Sequence, residues 1–212
     1  MEGERYDCFR EPQDDENWAQ LIKAGCPGAL AQLGLAMGGE SLLDLFTALG
    51  FYSAPNFPVD IHTQTAPASL ERPEATATGQ DGLQISPLQM AIAACALSSQ
   101  GELVAPQLTF GVEQAESNLE NLMAEPSPVE VFSLSAAASV AQGLAVGDMP
   151  IWELTTLASG DNGWSITWYL GGTLPGLTGT DSGKCIVVML EANRPALARS
   201  IGRELLLSSA SN

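Results

Sequence analysis

The sequence predicts an α+β fold, and three observations carry that prediction. Apolar residues recur at helical spacing in residues 16–49, 86–101 and 133–146. Three runs rich in β-branched and aromatic residues then follow one another, separated by Gly, Asp, Asn and Pro clusters. A last helical pattern closes the chain, and helices, then an antiparallel meander, then a helix is an α+β order. With 212 residues, 45% of them hydrophobic and 16% charged, the chain can build one core and lies outside the composition that keeps chains disordered. One domain over 1–212 is expected, with no internal repeat.

From Glu16 to Leu49 the pattern predicts three short helices, with Trp18, Leu21 and Ile22 in the first, Leu30, Leu33, Ala36 and Met37 in the second, and Leu42, Leu45, Phe46 and Leu49 in the third. Pro27 suits a first helical turn, and Gly38-Gly39 suits a helix end. The stretch 52–83, rich in Pro, Thr and Ala and without periodicity, predicts a long loop. Ser86 and Pro87 are the N-cap and first residue of the next helix, which ends near Gly101. Leu103 to Phe110 reads as extended, and Val112 to Pro128 as a polar, acidic connection with room for part of a helix. An Ala-rich helix from Ser133 to Val146 precedes strands over Ile151–Leu157, Trp164–Gly171 and Lys184–Leu190. Gly171-Gly172 and Gly160 to Gly163 read as hairpin turns. The closing helix, Arg194 to Ser208, is expected to bury Leu197, Ala198, Ile201 and Leu205.

Eight Lys plus Arg against 25 Asp plus Glu give a net charge of −17, which repels phosphate backbones, so nucleic acid is excluded as a partner. The longest apolar run, Met90 to Leu97, is too short to span a bilayer, and Met1-Glu2-Gly3-Glu4 lacks the basic start of a signal peptide. The cysteines at 8, 26, 95 and 185 form no CxxC pair. Cys95 and Cys185, in apolar stretches, read as packed thiols, whereas Cys8 and Cys26 are left open as partners. Asp14-Asp15-Glu16 is consecutive, so its side chains cannot converge on an ion and read as a solvated helix start. His62, the one histidine, lies in the predicted loop and reads as exposed rather than as a catalytic base. Neither lysine, Lys23 or Lys184, has a serine three residues before it. No metal and no cofactor are expected.

The segment Gln84-Ile85-Ser86-Pro87-Leu88-Gln89-Met90-Ala91, continuing through Ala94, Leu97, Gly101 and Pro106, resembles the transpeptidase domain of penicillin-binding proteins. That family has a Gly-Gln-Gly segment, a Thr-Pro-Leu-Gln-x-Ala helix, an Asn-Gly-Gly turn and a proline; here Gly79-Gln80-Asp81-Gly82 stands just upstream. Two further blocks agree: Cys26, Ala29, Leu33-Gly34 and Gly50-Phe51 look like the Ser-x-Asn helix and its end. Trp168-Tyr169-Leu170-Gly171-Gly172, Pro175 and Ile186 to Glu191 look like the family's Trp-Phe-x-Gly strand and last strand. The blocks keep their order over roughly residues 6 to 208.

The resemblance implies serine acyl transfer on peptidoglycan peptides, but the motif positions depart from it. Gly25, Cys26 and Pro27 stand where the family has Ser-x-Asn, so the proton-relay hydroxyl and the substrate-holding amide are both missing. Glu153, Leu154 and Thr155, followed by Thr156, stand where Lys-Thr-Gly is expected, and a carboxylate there reverses the charge that attracts the substrate. An alternative register, Ser159-Gly160-Asp161, supplies no lysine either. The nucleophilic Ser-x-x-Lys would precede residue 1, so the chain is expected to start inside the domain and to hold about three strands of a five-stranded sheet, packed between helices, with one edge unpaired. No catalytic residue is therefore expected. The expected role is a degenerate scaffold or partner-binding module of the bacterial cell envelope, anchored to the membrane in the full-length protein. Its partners would be envelope proteins, peptidoglycan peptides, or a second copy through the exposed sheet edge. Two alternatives stand beside it: part of an active D,D-transpeptidase with its serine upstream, or a module holding a peptide or small ligand in the old cleft near Gly25, Thr155 and Thr156. Cys26 reads as an inert thiol rather than a nucleophile, because no base stands beside it to lower its pKa. Trp164 and Trp168 read as alternation on a half-buried strand.

Overall fold

Two helical layers enclose a three-stranded antiparallel sheet in the computed structural model, which describes residues 8, 16–106, 112–113, 119–120, 127–159, 163–175 and 183–210. The first helix, α1 (Trp18–Lys23), opens with a capping box in which the Asn17 side chain accepts from the Gln20 amide and the Gln20 side chain accepts from the Asn17 amide. α2 runs Pro27–Ala48 and is broken at Gly38, whose φ of 77° leaves the helical region. The expected three helices are thus present, the second and third continuous through that break. Within the predicted loop a one-turn helix, α3 (Pro73–Ala77), buries Ala75 and Thr76 against α2. One turn is too short to show a period in sequence.

Ser86 and Pro87 open α4 (Pro87–Ser98) as expected, and Gln89 completes the capping box. The Gln89 side chain is buried, and its amide donates to the carbonyls of Gly50, Phe51 and Ser53 at 3.0–3.2 Å. Strand β1 (Glu102–Leu103) pairs with β4 (Val129–Glu130), and β2 (Val112–Glu113) with β3 (Leu119–Glu120). The extended stretch expected from Leu103 to Phe110 is a strand only at its first residue: 104–106 belong to no strand, and 107–110 lie outside the described residues. Helix α5 (Leu134–Gly143) is capped by Ser133.

The sheet is β5 (Ile151–Ser159), β6 (Ser165–Thr173) and β7 (Cys185–Leu190), paired in that order, and α6 (Pro195–Ala210) returns across one face. Gly171 and Gly172 lie inside β6 rather than in a turn. A side chain at Gly172 would collide with Ser98 and Trp152, whose indole Nε1 donates to the Ser98 hydroxyl at 2.9 Å in a buried bond between sheet and α4. Trp152, Ala94, Ala141, Leu144 and Leu174 form the main core on this face.

Two expectations are corrected. α6 buries Ala198, Gly202 and Leu206, while Leu197 and Leu205 are 45% and 51% exposed. Gly202 sits against the Tyr169 ring, so close approach to the sheet selected the small residues and turned the leucines aside. All four cysteines are oxidised: Cys8 to Cys26, and Cys95 to Cys185, which ties α4 to β7 across 90 residues. Sequence could not separate a packed thiol from a bonded one, because the partner arrives only with the fold.

Candidate functional site

Gly25 lies in the turn from α1 to α2 with φ 64°, its amide donating to the Ile22 carbonyl at 2.9 Å while Cys26 N–H reaches Leu21 O at 3.0 Å. Cys26 is the buried N-cap residue of α2, and Pro27 occupies the first turn, where its missing N–H costs no bond. Cys26 Sγ is joined to Cys8 and is no free thiolate. Lys23, in the last turn of α1, donates from Nζ to the Ala145 carbonyl at 2.7 Å and so ties this turn to the connection between α5 and β5. Burial lowers the Lys23 pKa, and the Glu153 charge opposes that shift in part.

Side chains alternate along β5. Trp152 and Leu154 take the face toward α4 and α5, and Thr156 shares their parity; Glu153 and Thr155 take the opposite face, toward α6. Arg203 grips the Glu153 carboxylate with two bonds, Nε to Oε2 at 3.1 Å and Nη2 to Oε1 at 2.5 Å. Arg199 Nε stands 3.7 Å from Oε1 and donates to Thr155 Oγ1 at 3.4 Å. The Tyr169 hydroxyl donates to Oε2 at 3.4 Å. The Glu153 side chain is only 12% exposed, so the fork matches charge that has lost most of its water. Burial, then the Glu153 charge, pushes the Tyr169 phenol above its usual range, and the hydrogen bond to Glu153 raises Arg203 further.

Sequence reasoning missed Arg199, Arg203 and Tyr169 as partners of Glu153. The i, i+4 spacing of the two arginines was the available signal, but it did not say which strand they face. Trp164 is 65% exposed just before β6, and Trp168 is half-buried beside its cross-strand neighbour Thr156. His62 is exposed. Among the described residues no three His, Cys, Asp or Glu converge on a metal position, and Asp14 and Asp15 lie outside them. No described helix is long and apolar enough to cross a membrane.

A helical layer on each face of an antiparallel sheet defines an α+β domain, and the positions compared with the family's motifs fall on the α1–α2 turn and on an outer strand. Residues 4–148 match the family model described as penicillin binding protein transpeptidase domain, and the chain belongs to that family. No curated relative matches it in sequence. It superposes on penicillin-binding protein A from M. tuberculosis, solved as an imipenem acyl-enzyme complex, with a TM-score of 0.74 at 20% identity over 91% of this chain and 46% of that one. The D,D-transpeptidase domain of a peptidoglycan glycosyltransferase from Eggerthella lenta gives 0.71 at 18% identity over 91% of this chain and 52% of that one. A peptidoglycan glycosyltransferase from Burkholderia ambifaria gives 0.59 at 18% identity, over 88% and 63%. At such identities the likeness is one of fold, and this chain spans about half the length of the first two.

Proposed function

We propose that this chain is a catalytically degenerate transpeptidase domain, retained as a scaffold or partner-binding module in peptidoglycan synthesis. Its place is the extracytoplasmic side of a bacterial envelope, in a protein anchored to the membrane. The observation that carries the reading is Glu153. Where the family presents a lysine ammonium, this chain has a carboxylate held by Arg203 and Arg199 on the α6 side of the sheet. A group neutralised there supplies no cation for a substrate carboxylate. The second motif agrees: Gly25 and Pro27 offer no side-chain donor, and the sulfur between them is bonded to Cys8. Acyl transfer needs a nucleophile, a base and an oxyanion site together, and these positions supply none of the three. Two disulfides fit an oxidising compartment. The ligand-cleft reading is weaker, since the Thr155 hydroxyl is turned to Arg199.

The test is the intact mass of the oxidised chain after incubation with a reactive penicillin, beside a Cys8→Ala/Cys26→Ala variant. No adduct is expected on either. The oxidised chain holds no free thiol, so an adduct on either would assign a serine or threonine and overturn the reading.

A further inference from the structure

We infer that the cleft beside α4 is a docking site for a segment of a partner protein that carries one Lys or Arg among apolar residues. The inference rests on the partner-binding reading above and states the chemistry of the partner. The cleft is open, holds about 740 Å³ and follows one side of α4 from Leu88 to Ser99, with β1, β4 and the start of α5 as its far wall. Positions 88, 92, 95 and 99 recur at helical spacing on that side. At 1.5 Å per residue the floor therefore runs about 16 Å, the reach of about five residues of extended chain.

Two apolar side chains on the far wall are left in water: Val104 is 50% exposed and Leu134 56%. Exposed apolar side chains scattered singly need no partner, but these two share one concave surface with the apolar side of α4.

Charge selects the occupant. Glu102 and Glu130 both line the cleft, and they stand directly opposite each other in the β1–β4 ladder. Like charges so placed, with Cβ atoms about 5 Å apart, cost the ladder stability. Both residues are exposed, and no cation among the described residues is paired with either. One ammonium or guanidinium set between them meets two carboxylates at once and relieves that repulsion. A metal ion is a poorer match, since among the described residues no third acid, His or Cys converges there. The net charge of −17 favours the same sign of partner: it draws a basic segment in and repels a second copy of this chain. Carboxylates and apolar floor lie in one cleft, so a segment that supplies only the cation or only the apolar side chains leaves half of the surface unmatched.

Fluorescence anisotropy of labelled peptides with the full 212-residue chain, disulfides intact, tests this from micromolar to millimolar chain. The probes are two pools of acetylated, amidated pentapeptides with Leu, Ile, Val or Phe around a central residue, which is Arg in one pool and Glu in the other. Binding of the arginine pool alone is expected, weakening as salt is raised. Glu102→Gln/Glu130→Gln should weaken it about tenfold without lowering the melting temperature, because the change removes a repulsion. Leu134→Ser, at an exposed position, should weaken it about threefold. Glu40→Gln/Asp44→Gln removes the same charge from exposed sites on α2 and should leave affinity within about twofold, which separates a site from a general field. No binding of the arginine pool, equal binding of both pools, or indifference to the loss of Glu102 and Glu130 overturns the inference. A penicillin adduct on the same chain is read by mass, apart from peptide affinity, and overturns the non-catalytic reading alone.

Discussion

The two outer strands of the sheet differ in how their edges are finished. β5 has its outer edge partly occupied: Trp152 bridges to Ala145, Val146 N–H reaches the Ile151 carbonyl and Glu153 N–H the Leu144 carbonyl. Its polar side chains are tied down by arginines from α6. β7 is apolar throughout, and its strongest tie is covalent, the bond from Cys185 to Cys95. One edge is closed by its own chain, and the other is composed as an interior strand. The contrast teaches that an interior position is written in sequence by what a strand lacks, and β7 holds no charge, proline or bulge.

The largest effect is expected on the β7 side. Cys95→Ala/Cys185→Ala opens a closure of 90 residues, and about 3–4 kcal/mol of stability should be lost, read from denaturant midpoints against the oxidised parent. Next comes the β5 side. Arg203→Met leaves Glu153 largely dehydrated with Arg199 as its remaining arginine, at a cost of about 2 kcal/mol, reduced from the fully buried case because Arg203 is one-third exposed. Glu153→Gln/Arg203→Met should recover part of that loss.

The smallest effect is a slope with pH. The Tyr169 phenol is raised in the fold, so above the unfolded value near 10 the folded chain holds a proton that the unfolded chain has released. Stability is therefore full below about pH 10 and falls above it, by at most about 1.4 kcal/mol per pH unit from this group. Lys23, lowered by burial, gives an opposite slope in the window just below its usual value. Tyr169→Phe should flatten the alkaline decline in thermal melts; an unchanged decline would assign it elsewhere.

Much of the fold was legible because it is local. Ser86-Pro87 announces α4, Gly38-Gly39 the break in α2, and three β-branched runs the meander. What was hidden depends on contacts far apart in sequence. The phase of α6 was misread because leucines outweigh alanine and glycine in any apolar pattern, whereas the Tyr169 ring demanded the small residues. The cysteines looked like packing because Cys95 and Cys185 meet only when α4 lies on β7. At the candidate site the turn of Glu153 toward α6 could not be read, since no local rule brings residues 199 and 203 to residue 153.

Gln89 binds three carbonyls that follow α2 while its own oxygen accepts from Ser86 at the head of α4. One amide thus staples both ends of the stretch 52–83, and that stretch cannot swing away while α4 keeps its first turn. The segment belongs to the same cooperative unit as the helix: its amides should exchange together with those at the start of α4, as one foldon rather than as an independent loop.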